Sequence, residues 1–373
     1  MPVTHREDHR DQLRHPGRGR LRGVDAVIVP AHRSASHLDP AAQLATELGC
    51  SLLLMCDPGG VDPHDFTPPT GLEWHAVTVP DGYRHRLLPG SAVPDPGSRD
   101  WRHGALSTKR NLSVLIARMV GWRTVFLVDD DMVDIHPDLV RTAAEGLHEL
   151  RAVGLTVADY PDNSVVCHAN RLSSPAQGVF VGACALVLDT TCPFGFFPGT
   201  YNEDWLFLFD NVAARQVGHV DSIVDRAGTV RAIRQLPYDP FADPGRARAE
   251  EFGDVIAEGL MAALRTYPSA PPPTDPGYWA DFLVARAIFI RRAAIALPVA
   301  GSVVDREAIL RSLRASRSRL GEIDANRCAE FVRTWRSDLE LWHARLGELP
   351  SFRTVGAATD YLGLAASLAG LIA

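Results

Sequence analysis

Thr124-Val-Phe-Leu-Val-Asp129-Asp130-Asp131 is the stretch on which the fold turns. Its first five residues are apolar or β-branched, the composition of a strand buried on both faces of a parallel sheet. Three adjacent carboxylates follow at the strand's end. They repel one another, and outside a helix a bound cation relieves that repulsion most simply. Mg²⁺ or Mn²⁺ takes oxygen ligands, usually one or two carboxylates, with phosphates and water completing the shell. In an extended turn the side chains at positions 1 and 3 point the same way. Asp129 and Asp131 are therefore the expected clamp, with Asp130 turned aside. A solvated acidic turn is the plainer alternative; the two are comparable for an isolated triplet, and an α/β context favours the metal.

That context lies upstream. Val24-Asp-Ala-Val-Ile-Val-Pro30 reads as a buried strand closed by proline, and residues 40–48 as a helix capped by Asp39 and ended by Gly49. Ser51–Cys56 is a second buried strand ending at Asp57-Pro-Gly-Gly60, and residues 74–79 a third. A Pro/Gly-rich loop, 80–104, leads to a helix over 107–120 with Leu112, Leu115, Ile116 and Met119 on one face. Strands alternating with helices imply a doubly wound, mostly parallel sheet, whose ligands bind outside the carboxyl ends of the strands. Asp57 and the acidic triplet stand at two such ends.

Downstream, residues 179–188 read as a strand. Cys192-Pro-Phe-Gly-Phe-Phe-Pro-Gly199 leads into Tyr201-Asn-Glu-Asp-Trp205 and a helix to about 216. From about 249 the 3–4 spacing of Phe252, Val255, Ile256 and Leu260, and later of Phe331, Trp335, Leu339 and Trp342, predicts a helical region. The apolar run 362–373 is too short to cross a bilayer. It reads as a terminal helix docked on the core, with a peripheral membrane contact as the alternative.

Composition narrows the function classes. The 373 residues carry a formal charge of −7, against the basic face that nucleic-acid binding requires. Six cysteines show no CxxC pair and no disulfide framework, which fits a reducing, cytoplasmic setting. Residues 1–23 hold six Arg and three His without an apolar core, so they read as a disordered basic arm rather than a signal peptide.

Two further clusters bear chemistry. Ser107-Thr-Lys109-Arg110-Asn111 is expected at the start of the helix that feeds the acidic strand, where a helix N-terminus and two cations suit phosphate. Lys109 is the only lysine among 38 basic residues, which weighs against its being one more exposed basic turn. Asn202-Glu203-Asp204-Trp205 opens a helix. Acidic residues are commonplace in a first turn, but a carboxylate beside Trp205 and the phenylalanines could have the raised pKa of a general base.

The order of these features over roughly residues 24–220 resembles the family 2-type glycosyltransferases of the GT-A fold. The resemblance implies a GT-A doubly wound sheet with a helical C-terminal appendage, and a sugar carried from a nucleotide-diphosphate donor to a hydroxyl acceptor. It matches Pro30, Ala31, His32, Arg33 and Asp57 to the base-binding positions, and Asp129 and Asp131 to the metal- and diphosphate-binding DxD motif. Lys109, Arg110 and Asp130 join the donor-binding set. Glu203 and Asp204 match the Glu-Asp motif, with Asp204 as the base, and His219 is a candidate late metal ligand. The loop between Asp57 and Lys109 is longer than the family's, and the Gln-x-x-Arg-Trp motif of processive synthases is absent.

The expected organisation is a basic arm (1–23), a nucleotide-sugar-binding and catalytic domain (24–240) and a helical region (241–373), with a homodimer as an option. Asp129-Asp-Asp131-Met-Val133 also satisfies the nucleophile motif of haloacid-dehalogenase-like phosphohydrolases, but the lysine lies upstream rather than downstream, leaving Arg171 to substitute. A nucleotidylyltransferase lacks its Gly-rich signature around 29–38. A non-catalytic nucleotide-sugar-binding protein is the third alternative.

Overall fold

The computed structural model describes residues 5, 8–17, 19, 22–89, 101–158, 163–172, 181–225, 227–297, 305–364 and 366–371, with 101–104 and 366–371 described by backbone alone. In chain order the first half runs β1 (Ala26–Ala31), α1 (Asp39–Leu48), β2 (Ser51–Cys56), β3 (Glu73–Thr78), α2 (Trp101–Val120), β4 (Thr124–Val128), β5 (Met132–Val133), α3 (Pro137–Gly146), β6 (Ala152–Leu155) and α4 (Val165–Arg171). Then come β7 (Ala185–Asp189), α5 (Glu203–Ala213), β8 (Val217–Val220), β9 (Ile223–Val224), β10 (Val230–Arg231) and β11 (Arg234–Gln235). The remainder is α6 (Pro244–Thr266), α7 (Pro276–Ala296), α8 (Arg306–Leu320), α9 (Ala325–Gly347), α10 (Val355–Tyr361) and β12 (Ala366–Leu371).

Eight strands form one mixed sheet in the order β12-β3-β2-β1-β4-β7-β6-β8. β1 lies between β2 and β4, parallel to both, with Ile28 opposite Leu53 and Leu127. All three strands are buried along their length, as their unbroken apolar runs require. β7 runs against β4 and β6, and β12 against β3; the other six share one direction. Alternate residues feed two cores. Val27, Val29, Leu52, Leu54 and Phe126 face the side of α1 and α3. Ala26, Ile28, Leu53, Met55 and Leu127 belong to a larger cluster that runs without a break through α2 and α5 into Trp279, Phe331, Trp335 and Trp342 of the helical region.

Several expectations are corrected. α2 begins at Trp101, so Lys109 and Arg110 lie two turns inside the helix rather than at its N-terminus. α1 begins at Asp39 with Leu38 as the capping residue and no side-chain cap; Gly49 ends it as expected, at φ 66°. The strand expected over 179–188 is confined to Ala185–Asp189, and residues 179–180 lie outside the described residues. Within the supposed arm, residues 8–17 dock on the core. His9, Gln12 and Leu13 are buried, Gln12 donates to the Met261 carbonyl at 3.1 Å, and Arg14 forms a parallel bridge to Gly218 of β8. Burying these side chains offsets the ordering entropy that basic composition alone leaves uncompensated.

The expected terminal helix is a strand instead. Residues 366–371 pair antiparallel with β3, while 365 and 372–373 lie outside the described residues. A short apolar run satisfies either period, and the unpaired ladder of β3 decides between them. Among the described residues, no helix is long and apolar enough to cross a membrane.

Candidate functional site

Parallel pairing of β2, β1 and β4 brings their carboxyl ends side by side, and with them Asp57, the 31–33 turn and the acidic triplet. Topology thus gathers residues that lie up to a hundred positions apart in sequence.

Within the triplet Asp130 and Asp131 share Arg33, while Asp129 pairs with Arg110. Asp130 Oδ2 accepts from the backbone N–H groups of His32 (2.7 Å) and Arg33 (2.8 Å), and its Oδ1 accepts from the Arg33 guanidinium. Asp131 Oδ2 accepts from Arg33 Nη2 at 2.9 Å and Gln235 Nε2 at 3.1 Å. Asp129 accepts through both oxygens from Arg110 Nη2, at 2.8 and 2.9 Å. Asp129 and Asp131 therefore face different partners rather than one point. The Met132 N–H bonds the Asp129 carbonyl at 3.1 Å, so the chain turns through the triplet instead of extending.

Lys109 and Arg110 are adjacent on α2 and so diverge by about 100° around its axis. Lys109 Nζ reaches Asp57 Oδ2 at 2.7 Å and the Ala31 carbonyl at 3.3 Å; His32 Nδ1 joins the same Asp57 oxygen at 3.1 Å. Arg110 bridges Asp129 to Glu203. The Lys109 and Arg110 side chains are only 4% and 6% exposed, and a charge so buried must be paired. Burial disfavours the Arg110 cation, but Asp129, Glu203 and Asp204 outweigh it and hold the guanidinium firmly protonated. Both cations, expected at phosphate, lock α2 to the strand ends and to α5 in the structure. Pro30 lies within β1, and Arg33, 44% exposed, neutralises two of the three aspartates.

Asp204 is the group with unusual acid–base character. Its Oδ2 accepts from the Ala183 N–H at 3.0 Å and its Oδ1 from the Trp205 N–H at 2.9 Å. Burial first, then the Glu203 charge, push its pKa up to about 7, against the opposing pull of Arg110 and the two N–H donors. The phenylalanine segment supports this helix. Phe197 stacks on Phe207 at 4.0 Å, and Asn111 of α2 bonds both the N–H and the carbonyl of Phe197 at 2.8 Å. An open groove of about 840 Å³ is lined by Asp57, Tyr83, Arg84, Arg86, Phe197 and Gly199.

No protein-family model matches the chain, and no curated protein matches it. Among solved structures it is similar to the mannosyltransferase PcManGT from Pyrobaculum calidifontis in complex with GDP-Man and Mn²⁺, at 14% identity and a TM-score of 0.35, covering 92% of this chain and 91% of that one. Similarity at that level establishes neither fold nor chemistry, and the site stands on its own geometry.

His219 is not brought to the triplet. It is buried on β8, with its ring centroid 4.4 Å from that of His15 and Nδ1 3.3 Å from Asp221, and burial lowers its pKa. No group of three or more His, Cys, Asp or Glu side chains converges on a metal position among the described residues. The donor chemistry is nonetheless that of a hard cation: carboxylate oxygens only. In the structure guanidinium groups carry that positive charge, and Arg33, the exposed one, would have to yield Asp131 to a metal. Gln235 and Asn111 were not foreseen. Neither residue type nor spacing marks them out, since Gln235 arrives on a two-residue strand paired with β5.

Proposed function

We propose that the chain is a metal-dependent glycosyltransferase acting on a nucleotide-diphosphate sugar, with Asp204 as the base that activates an acceptor hydroxyl. The observation that carries this reading is Arg110. By bridging Asp129 and Glu203 it makes the acidic triplet and the Glu-Asp pair one site, so a donor held at the strand ends would lie beside a buried carboxyl of near-neutral pKa.

In this reading Asp131, with Asp129 if it leaves Arg110, would hold a divalent ion, which when bound supplies positive charge to the donor's diphosphate. Asp130 fixes the 32–33 backbone against which the donor lies. The Asp204 carboxylate takes the acceptor hydroxyl's proton as that oxygen bonds the sugar's anomeric carbon, and the nucleoside diphosphate departs with the electrons of the broken C–O bond. A phosphohydrolase would need Asp129 free for in-line attack, whereas both its oxygens accept from Arg110.

The test offers purified protein UDP-, GDP- and dTDP-sugars with and without Mn²⁺, following thermal shift and donor hydrolysis. Stabilisation by a nucleoside diphosphate only when metal is present is the expected result. Absence of both binding and turnover across the panel refutes the proposal, as does full activity in an Asp129→Ala/Asp131→Ala variant.

A further inference from the structure

Asn202 sits at the N-cap of α5 in the left-handed region, φ 58° and ψ 33°. Asparagine tolerates that conformation better than most residues, and at an N-cap its side chain ordinarily accepts from the helix's first N–H groups. Here no such bond forms. The amide instead donates from Nδ2 to Asp254 Oδ1 of α6, at 2.7 Å.

Asp254 is itself held. Its Oδ2 accepts from Arg286 Nη2 of α7 at 2.6 Å, and Arg286, 0% exposed, also donates to both oxygens of Glu251 at 2.8 and 2.9 Å. Ser316 of α8 donates to the same Glu251. The neighbouring Gly253 presses its Cα against the Tyr201 carbonyl, where any Cβ would fall inside van der Waals contact. α6 therefore grips residues 201 and 202, the two that precede Glu203 and Asp204. A buried ionic cluster is a poor source of net stability, because well-packed apolar side chains would serve as well. What it supplies is a fixed orientation.

We infer that Asp254, anchored by Arg286, is a positioning residue that sets the direction of Glu203 and Asp204 through Asn202, making the helical region part of the active-site architecture. This rests on the proposed role of Asp204 as the base. The charged groups facing Asp204 are Glu203 on its own helix and Arg110 from α2, whereas Asp254 acts on it through the backbone of Asn202.

The test uses the full chain with Asn202→Gly, which keeps the backbone conformation and removes only the tether, and with Asp254→Ala. Each is expected to lower kcat by about tenfold to a hundredfold with the donor KM unchanged, and the double variant to be no worse than the poorer single one. The Asp204 carboxyl, followed by ¹³C NMR in the protein without donor, should titrate at a shifted midpoint in both. Wild-type kcat together with an unmoved Asp204 titration in Asn202→Gly overturns the inference. If the wild type turns over no donor, the proposed activity fails by itself, and the NMR midpoint alone decides: a shift supports positioning, and superimposable curves refute it.

Discussion

Arg110 Nη2 lies 2.8 and 2.9 Å from the two carboxylate oxygens of Asp129, while Nη1 of the same guanidinium bonds Glu203. A single side chain in the third turn of α2 thus joins the end of β4 to the start of α5.

Removing it strips the cation from a buried carboxylate, Glu203, and a part-buried one, Asp129. Arg110→Ala should destabilise the fold by about 3–5 kcal/mol, the cost of stranding charge in the interior. Arg110→Lys should recover little of this, since an ammonium cannot span both partners in the guanidinium's planar geometry. Denaturant midpoints at constant m-value read the difference.

The Asp204 carboxyl, pushed up to about 7 from 3.8, sets a pH dependence. Its native pKa lies above the unfolded one, so its contribution to stability is full below about pH 4 and is lost as pH rises through about 7. Activity moves the other way. A base must be deprotonated, so turnover should climb through the same interval. Asp204→Asn should abolish the climb, retain nucleotide binding and flatten the loss of thermal stability between about pH 4 and 7. Rate profiles between about pH 5 and 9 and melting profiles from about pH 3 upward check both.

Asp130 accepts two backbone N–H groups as well as the Arg33 guanidinium. Asp130→Ala leaves those donors unsatisfied at a part-buried turn and should cost about 1–3 kcal/mol. Asp131→Ala, which removes the acceptor of one Arg33 nitrogen and of Gln235, should cost less stability and cancel the metal-dependent stabilisation by a nucleoside diphosphate. Calorimetric titration with Mn²⁺, with and without nucleotide, separates the two aspartates. Equal effects would contradict their division of labour.

Gly253→Ala sets two effects against each other. Alanine is the better helix former by about 0.5–1 kcal/mol, but its Cβ would collide with the Tyr201 carbonyl, a backbone atom that cannot swing aside. Overpacking of about 1–3 kcal/mol should win, giving a net loss visible in the melting temperature.

The strands at the heart of the sheet were legible because each is a buried apolar run closed by punctuation. The observed limits of Ser51–Cys56 and Thr124–Val128 are those read from sequence. The start of α2 was not, since Trp101-Arg-His-Gly carries no capping signal, and that error put Lys109 and Arg110 at a helix end. The extended turn expected at Asp129–Asp131 was not found either, because one hydrogen bond, from the Met132 N–H to the Asp129 carbonyl, bends the chain there. Contacts such as Gln235 to Asp131 and Asn202 to Asp254, separated by 104 and 52 residues, leave no trace in local periodicity. Whatever depends on chain return was invisible; whatever depends on a strand's own burial was plain.

The pairing of residues 366–371 with β3, and of Arg14 with Gly218, has a practical consequence at the margins of the sheet. β3 and β8 are each covered by a stretch from far along the same polypeptide, so trimming either stretch would present a bare ladder to other molecules. Shortened versions should clump on concentration before they melt, and bulky fusions next to residue 371 should provoke the same stickiness by prising that shield away.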